Sequence, residues 1–210
     1  MVDEFALVLN SGSSSLKFAV FRTAAGADWP LVGRGNIEGI GTAPKMSARD
    51  GAGSAMPTPT LPAAVRDASA ALEHVFAWLR SSFAGGRLVG DADLRGIGDG
   101  RAELAIMIGA RALQGRGLGT AFGVMAHALA FRTLGLTRTC VSILPENAAS
   151  RRLFQRLGYA LDYSPAARAI ADEPTDLTMS LERARCEKAY AAELTQLQFY
   201  EMSGSGSLGR

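Results

Sequence analysis

The chain of 210 residues has little of what marks secreted, membrane-spanning or metal-binding proteins. Its two cysteines, Cys140 and Cys186, are too few for a disulfide framework or a zinc cluster. Its two histidines each stand alone on a predicted helix, a position more typical of packed or surface residues than of metal ligands. No apolar run approaches the roughly 18 residues that cross a bilayer. The N-terminus also carries acids where a signal peptide would be basic.

The charge balance gives no indication of a polyanionic partner. Lys and Arg total 22 against 20 Asp and Glu, and the net charge of +2 argues against nucleic acid as the main ligand. With 48% hydrophobic residues the chain can build an ordinary core. The composition therefore predicts a cytoplasmic α/β protein that holds no metal and has neither a membrane nor a nucleic acid as partner.

The N-terminal part alternates short apolar runs with turn residues. Two strands, Phe5–Leu9 and Leu16–Phe21, are predicted to form a hairpin whose tip is rich in Ser and Gly. The further predictions are a strand over Leu31–Ile40, a loop with at most a weak strand over 41–60, and a helix over Leu61–Phe83.

The C-terminal part alternates strand and helix patterns. The strand predictions are Arg87–Ile97, Glu103–Ile108, Thr137–Ile143, Tyr159–Tyr163 and Leu177–Leu181. Helices are predicted from the Gly-rich stretch at 114–119 to about Leu134, over Ala148–Leu157 and over 187–202. Residues 203–210 have the composition of a disordered linker.

The tip of the hairpin has the residues of a phosphate-binding turn. Backbone N–H groups and hydroxyls of such a turn can surround a phosphate, although a plain polar hairpin tip has the same composition. The segment Leu7–Phe18, with the sequence LVLNSGSSSLKF, closely resembles the opening of acetate and propionate kinases, which belong to the sugar kinase/actin fold superfamily. The resemblance continues to about Leu88. It implies that Asn10, Ser13, Ser15 and Lys17 line a phosphoryl-transfer site near magnesium.

The kinase resemblance stops after Gly90. Asp91–Leu94 stands where the kinases continue with a Gly-His-Arg segment that carries a catalytic arginine, and their later nucleotide-binding domain has no counterpart here. Phosphoryl transfer needs several groups acting at once. We therefore interpret this hairpin, which we call the phosphate hairpin, as vestigial. Of the functions considered, phosphotransferase activity is the least expected.

A second Gly-rich turn, Gln114–Gly119, follows a strand and opens a helix. Free N–H groups and the helix dipole at such a point favour a pyrophosphate, and glycines let the backbone approach it closely. The turn lacks the Lys-Ser/Thr ending of a nucleoside-triphosphate loop. A plain turn at the start of a helix remains the alternative.

Four motifs occur in the order typical of one enzyme superfamily. They are Arg101–Gly109, the Gly-rich turn, Pro145–Ser150 and Arg156–Tyr159. This series strongly resembles the GNAT superfamily of acetyl-CoA-dependent N-acetyltransferases, nearest the subfamily that acetylates the N-termini of ribosomal proteins and related amines. The resemblance runs from about Arg87 to Arg185.

The resemblance implies acetyl-CoA as cofactor and assigns residues to it. The coenzyme A pyrophosphate would be bound by Gln114, Gly115, Arg116, Gly117, Leu118, Gly119 and Thr120. Asn147 would hydrogen-bond the amide-bearing arm, and Arg151 or Arg152 would meet the phosphates. The strand Glu103–Ile108 would splay from Thr139–Ile143 and expose backbone groups to the pantetheine arm.

The catalytic assignment is less complete. Glu103 matches a carboxylate that deprotonates the amine in many members, and a solvated strand carboxylate is the alternative. Phe154 stands where many members have a tyrosine general acid, and Tyr159 is expected to pack through its ring. Protonation of the leaving thiolate would then fall to water or another group. The kinase-like segment also replaces the strand and helices that normally cover the acceptor site.

The two resemblances divide the chain into a kinase-like segment 1–88, a GNAT-like segment 89–186 and a terminal helix with a tail, 187–210. The fold class we expect is α/β: a single mixed sheet flanked by helices, in which the N-terminal hairpin, strands and helix complete the GNAT-like half. Two subdomains that exchange strands in a homodimer are the alternative. The expected function is acetyl transfer to a protein N-terminus or small amine, with a folded chimera or binding module without turnover as the alternative.

Overall fold

Strands from the two halves of the chain pair side by side at the centre of one sheet. A computed structural model of the protein describes residues 2–23, 29–109, 113–171 and 173–196. Strand β1 (Glu4–Ser11) runs parallel to β6 (Arg87–Gly98), with Leu7 opposite Asp91 and Leu9 opposite Asp93. The expected single mixed sheet is confirmed, and the two halves are not separate subdomains. The predicted boundaries at residues 88 and 186 stay predictions.

The sheet has ten strands in the order β5-β4-β3-β2-β1-β6-β7-β8-β10-β9. The remaining strands are β2 (Ser15–Arg22), β3 (Leu31–Glu38), β4 (Lys45–Asp50), β5 (Ala55–Met56), β7 (Arg101–Ile108), β8 (Arg138–Ile143), β9 (Ala160–Leu161) and β10 (Leu177–Glu182). All neighbouring pairs are antiparallel except β1 with β6 and β7 with β8.

Six α-helices accompany the sheet in the described ranges. They are α1 (Ala68–Ser82), α2 (Leu118–His127), α3 (Ala148–Arg156), α4 (Pro165–Arg168), α5 (Arg183–Ala189) and α6 (Ala191–Gln196). Helix α2 continues as a π-helical segment over Ala128–Thr133. None of the helices in the described part of the chain is long and apolar enough to span a membrane.

Three predictions about the elements were wrong. The segment over 41–60, predicted as a loop with at most a weak strand, contains two strands, β4 and β5, which extend the sheet beyond the hairpin. Helix α1 begins at Ala68, because the side chain of Asp67 accepts a hydrogen bond from the Ala70 N–H at 2.8 Å and caps the helix there. The terminal helix is divided into α5 and α6, and the predictions for 197–210 lie outside the described residues.

The sheet separates two hydrophobic clusters. Alternate residues of β1 point to opposite faces, so Leu7 and Leu9 join a cluster with α1, whereas Ala6 and Val8 join a cluster with α2. Helix α1 contributes Ala71, Val75 and Trp78 at helical spacing. The α1 cluster is built from residues 5–83, whereas the α2 cluster takes residues from both halves, so the α2 cluster joins the two halves.

Helix α2 packs closely against α3. A Cβ atom at Gly119 would lie 2.9 Å from Leu153, and one at Gly123 would lie 2.5 Å from Leu157. The two contacts share a spacing of four residues on both helices, so the helices run in the same direction. The first turn of α3 is therefore level with the segment just before α2.

Candidate functional site

Strands β7 and β8 part after a short stretch of pairing. Arg101–Glu103 pairs with Arg138–Cys140, and within the described ranges the ladder between these strands ends there. Both strands nevertheless continue, to Ile108 and Ile143. Their facing edges beyond Glu103 can offer backbone N–H and C=O groups to an extended ligand, as at an exposed sheet edge.

The Gly-rich turn leads into the uncapped N-terminus of α2. Gly115 and Gly117 have φ values of 78° and 82°, which L side chains adopt only with strain. Among the described residues, no atom lies within 4 Å of a Cβ atom built on either glycine, so the space over the turn is open. No side chain caps the helix. The Thr120 and Ala121 N–H groups donate to the Gly117 carbonyl oxygen, and the N–H groups of Leu118 and Gly119 precede these first bonds of the helix. The turn thus fits an anion such as a diphosphate.

The first turn of α3 lies beside the Gly-rich turn. Asn147 caps this helix, since its side-chain oxygen accepts a hydrogen bond from the Ser150 N–H at 3.0 Å. The carbonyl oxygen of Asn147 is therefore engaged, and its NH₂ group is what it can offer to a ligand. Arg151 and Arg152 are exposed on the same helix. Their roles stay predictions.

Arg116 of the Gly-rich turn contacts a carboxylate of the first strand. Nη2 of Arg116 lies 3.6 Å from Oε2 of Glu4, and Oε1 of Glu4 is bound by Arg87. The kinase-like segment thus places one negative charge beside the turn predicted to bind a diphosphate. Because Glu4 contacts both Arg87 and Arg116, the three side chains together carry a net positive charge.

Glu103 lies on the sheet face that α1 partly covers. It stands opposite Arg95 in the β6–β7 ladder, and Oε1 of Glu103 lies 2.9 Å from Nη2 of Arg95. Glu103 pairs with Cys140 in the last rung of the described β7–β8 ladder, so it lies where the two strands part. Its assignment as the proton acceptor stays a prediction.

Two further carboxylates on this face were missed by the sequence reasoning. Asp91 and Asp93 are half-buried, and their register partners Leu7 and Leu9 place them on the face of α1. Burial, and to a smaller extent the charge of Asp93, raise the pKa of Asp91 to about 6. Burial also raises the pKa of Asp93. The hydrogen bond donated by the Ser11 hydroxyl and the positive charge of Arg95 both oppose that rise.

The signal for these carboxylates was present in the sequence. Asp91 and Asp93 alternate with Ala92 and Leu94 along a strand, which is a period of two that places both acids on one face. In the sequence comparison they mark only the point where the kinase resemblance ends. A carboxylate with a pKa near neutrality is suited to accept a proton from an amine.

On the opposite face, three polar side chains form a buried chain. The hydroxyl of Tyr159 lies 2.8 Å from Nε2 of His127 and 2.7 Å from Oγ1 of Thr139. Burial lowers the pKa of His127 to about 3 and raises that of Tyr159 well above its usual range. The Tyr159 ring also packs on Phe154 at a centroid distance of 5.1 Å, as expected. Neither residue is placed to protonate a thiolate in the gap, because both are buried.

The predicted phosphate hairpin lies far from the Gly-rich turn. Glu4 near the turn and Ser11 near the hairpin tip are the two ends of β1, which separates them by about 23 Å at the rise of an extended strand. Asn10 and Lys17 face each other in the hairpin, and Ser13 is exposed while Ser15 is partly buried. No group of His, Cys, Asp or Glu in the described ranges could hold a metal ion. The two candidate phosphate sites are therefore not one site.

Comparisons with known proteins agree with both resemblances. Residues 47–160, more than half of the chain, match the acetyltransferase (GNAT) domain. A stretch of 74 residues is 45% identical to acetate kinase of Rhizobium meliloti, covering 35% of this chain and 19% of that protein. The chain thus spans about a fifth of the length of the curated relative that it matches.

Two solved structures share parts of the architecture. An acetyltransferase from Agrobacterium tumefaciens is 22% identical with a TM-score of 0.41, over 54% of this chain and 71% of that one. RimJ of Mycobacterium smegmatis, in complex with CoA-disulfide, is 15% identical with a TM-score of 0.39, over 88% of this chain and 59% of that one.

Proposed function

Because the chain belongs to the family of GNAT acetyltransferase domains, we propose that it binds acetyl-CoA and transfers the acetyl group to an amine. The observation that carries this proposal is the open Gly-rich turn at the uncapped start of α2, next to the gap between β7 and β8. These two features offer a diphosphate site and an extended backbone edge in one place.

The residues that would hold coenzyme A follow from this geometry. Backbone N–H groups at 114–120 would bind the pyrophosphate, and Arg116 would add a positive charge. Arg151 or Arg152 would reach phosphate oxygens from the first turn of α3, and the NH₂ group of Asn147 would donate to the arm. When bound, acetyl-CoA supplies an activated acetyl group as a thioester.

The chain's own groups would position and deprotonate the acceptor. N–H groups of β7 beyond Glu103 would hydrogen-bond the thioester carbonyl and favour charge on its oxygen. The amine nitrogen would form the new C–N bond while the C–S bond breaks. A carboxylate on the face of α1 would take the proton from nitrogen, and water would protonate the departing sulfur.

Glu103 is the carboxylate that the family resemblance assigns, and Asp91 is the second candidate. Glu103 lies at the point where β7 and β8 part, but its Oε1 is engaged by Arg95. Asp91 lies further along the same face, opposite Met107 of β7. If Asp91 is the proton acceptor, activity should rise as the pH passes through about 6.

The release of free thiol from acetyl-CoA in the presence of an amine tests the proposal. We expect thiol release that depends on the amine, with Glu103→Gln lowering kcat by at least about tenfold if Glu103 is the proton acceptor. Glu187→Gln is the matched control, because it makes the same change in an ion pair on α5. If Glu103→Gln leaves the rate unchanged and Asp91→Asn abolishes it, the proton acceptor is Asp91. Absence of amine-dependent release would contradict the proposed transfer.

A binding module without turnover is the second candidate. It is favoured by the engagement of Glu103 with Arg95 and by the burial of Tyr159. Calorimetric binding of coenzyme A without thiol release would establish this alternative. ATP-dependent formation of acetyl phosphate would instead support a role for the phosphate hairpin.

A further inference from the structure

Ser142 borders the gap between β7 and β8 on the same sheet face as Glu103. It lies on β8, two residues beyond the last rung that this strand forms with β7 in the described ranges. Its neighbours Val141 and Ile143 belong to the α2 cluster, so the side chain of Ser142 lies on the other face. In a paired sheet, diagonal neighbours such as Glu103 and Ser142 are about 7–8 Å apart. One ligand atom at the gap can therefore contact both side chains.

A buried carboxylate fixes the direction of the Ser142 hydroxyl. Oγ of Ser142 donates a hydrogen bond of 2.8 Å to Oδ2 of Asp176, the residue just before β10. Because β10 lies on the side of β8 away from β7, the hydroxyl proton is directed away from the gap. A hydroxyl has one proton and two lone pairs. Ser142 can thus offer only lone pairs to a ligand in the gap, and it selects a ligand atom that carries a proton.

The carboxylate of Asp176 is buried without a positively charged partner among the described residues. Asp176 keeps only 3% of its surface exposed, and in the described ranges its Oδ1 has no hydrogen-bond partner. Arg168 donates to the main-chain carbonyl oxygen of Asp176 at 2.8 Å, and no basic side chain of the described residues forms an ion pair with the carboxylate. A buried oxygen without a partner is costly, so stabilisation of the fold does not account for this carboxylate. Its charge makes the Ser142 hydroxyl a stronger acceptor.

We propose that Ser142, oriented by Asp176, accepts a hydrogen bond from the acceptor amine and directs the nitrogen lone pair to the thioester carbon. The inference rests on the proposed acetyl transfer and adds the residues that position the acceptor. One N–H of a neutral primary amine would donate to Oγ of Ser142, and the other would pass its proton to the carboxylate on the same face. The nitrogen forms the C–N bond, the C–S bond breaks and water protonates the sulfur, while Ser142 keeps its own proton. The negative charge of Asp176 favours the positive charge that develops on nitrogen.

The test measures amine-dependent thiol release from acetyl-CoA in variants of this pair. Phenethylamine, spermidine and a short peptide with a free N-terminus serve as probes, and kinetic constants are determined with the fastest of them. The variants are Ser142→Ala, Ser142→Thr, Asp176→Asn and the double variant Ser142→Ala/Asp176→Asn. Ser180→Ala is the matched control, because Ser180 is also partly buried on this face and hydrogen-bonds the carboxylate of Asp162, but lies on β10, which does not border the gap.

The expected losses are confined to the acceptor amine. Ser142→Ala should lower kcat/KM for the amine about 10-fold and Asp176→Asn about 3- to 10-fold, since each weakens one hydrogen bond to the nitrogen. Ser142→Thr keeps the hydroxyl and should stay within about threefold of the unchanged protein. Because Asp176 acts through Ser142, the double variant should be no more than about twofold below Ser142→Ala. KM for acetyl-CoA should change less than about twofold in every variant, and Ser180→Ala should leave all constants unchanged.

The outcomes separate this inference from the proposed function. Acetylation that Ser142→Ala does not slow, an equal loss in Ser180→Ala, additive losses in the double variant or a matching rise in KM for acetyl-CoA overturns the inference alone. Coenzyme A binding with no thiol release from any probe overturns the proposed transfer and the inference with it. If Ser142→Ala or Asp176→Asn does not fold, Ser142→Cys decides, because a thiol keeps the size of the side chain but is a weak acceptor. Ser142→Cys should then lose about 10-fold in kcat/KM for the amine relative to Ser142→Thr, and equal values would overturn the inference.

Discussion

Glu4, in the first strand of the kinase-like segment, lies 3.6 Å from Arg116 in the turn that we assign to the cofactor. The contact spans the two halves of the chain at the point where a diphosphate would bind. Glu4 is also bound by Arg87, so its carboxylate contacts an arginine through each oxygen.

The first prediction concerns this contact. Glu4→Gln should tighten coenzyme A binding by about two- to fivefold, because it removes a negative charge next to the phosphates and releases Arg116. Asp3→Asn is the matched control, since Asp3 pairs with Arg22 instead. Isothermal titration at low and high salt provides the measurement. An equal change in both variants, or weaker binding in Glu4→Gln, would show that the contact does not oppose the phosphates.

The raised pKa of Asp91 should lower the free energy of unfolding as the pH rises from acid to neutral. Its pKa is about 6 in the folded chain against an ordinary 3.8, so its contribution to stability is present below pH 3.8 and is lost as the pH rises through 6. Asp91→Asn should therefore be more stable than the unchanged protein at pH 7.5, by about 1 kcal/mol after allowing for solvent screening. Denaturant unfolding at pH 7.5 and pH 4 measures this difference, which should shrink in acid. A difference that grows in acid would contradict the argument.

The lowered pKa of His127 should have the opposite effect on stability, which should fall as the pH is lowered. Burial lowers its pKa to about 3, so its contribution to stability is present above pH 6.5 and is lost as the pH falls towards 3. The loss should be about 1.4 kcal/mol per pH unit below 6.5. In His127→Gln the free energy of unfolding should start lower at pH 7 and fall less between pH 6.5 and 5. Parallel pH profiles for the two proteins would show that folding does not lower the pKa of His127.

Local patterns were enough to predict much of the fold. The hairpin of β1 and β2 follows from apolar runs on either side of a Ser-rich tip, and α3 follows from its amphipathic spacing after Asn147. The start of α1 was misplaced because Pro62 suits a first helical turn as well as a loop, while Asp67 provides the cap. Strand β4 was missed because glycine, proline and small residues around it hide its alternation.

Long-range relationships were the part that sequence patterns do not contain. The parallel pairing of β1 with β6 brings Ser11 to the carboxylate of Asp93 across 82 positions of sequence. The ion pair between Arg95 and Glu103 depends on the register of a hairpin that was not predicted residue by residue. The hydrogen bond from Ser142 to Asp176 likewise depends on the pairing of β8 with β10. The turn at 114–119, in contrast, is predicted by its glycines alone, because the pattern is local in the sequence.

Coenzyme A titration of Gly117→Glu tests the central claim most directly. Gly117 has a φ of 82° and open space around it, so the new carboxylate would occupy the place assigned to the pyrophosphate. Gly135→Glu is the matched control, because Gly135 has a φ of 67° and open space but lies after the π-helical segment. We predict that the unchanged protein and Gly135→Glu bind coenzyme A with micromolar affinity and that Gly117→Glu binds at least 100-fold more weakly. Equal affinity of the two variants, or no binding by the unchanged protein, would contradict the account.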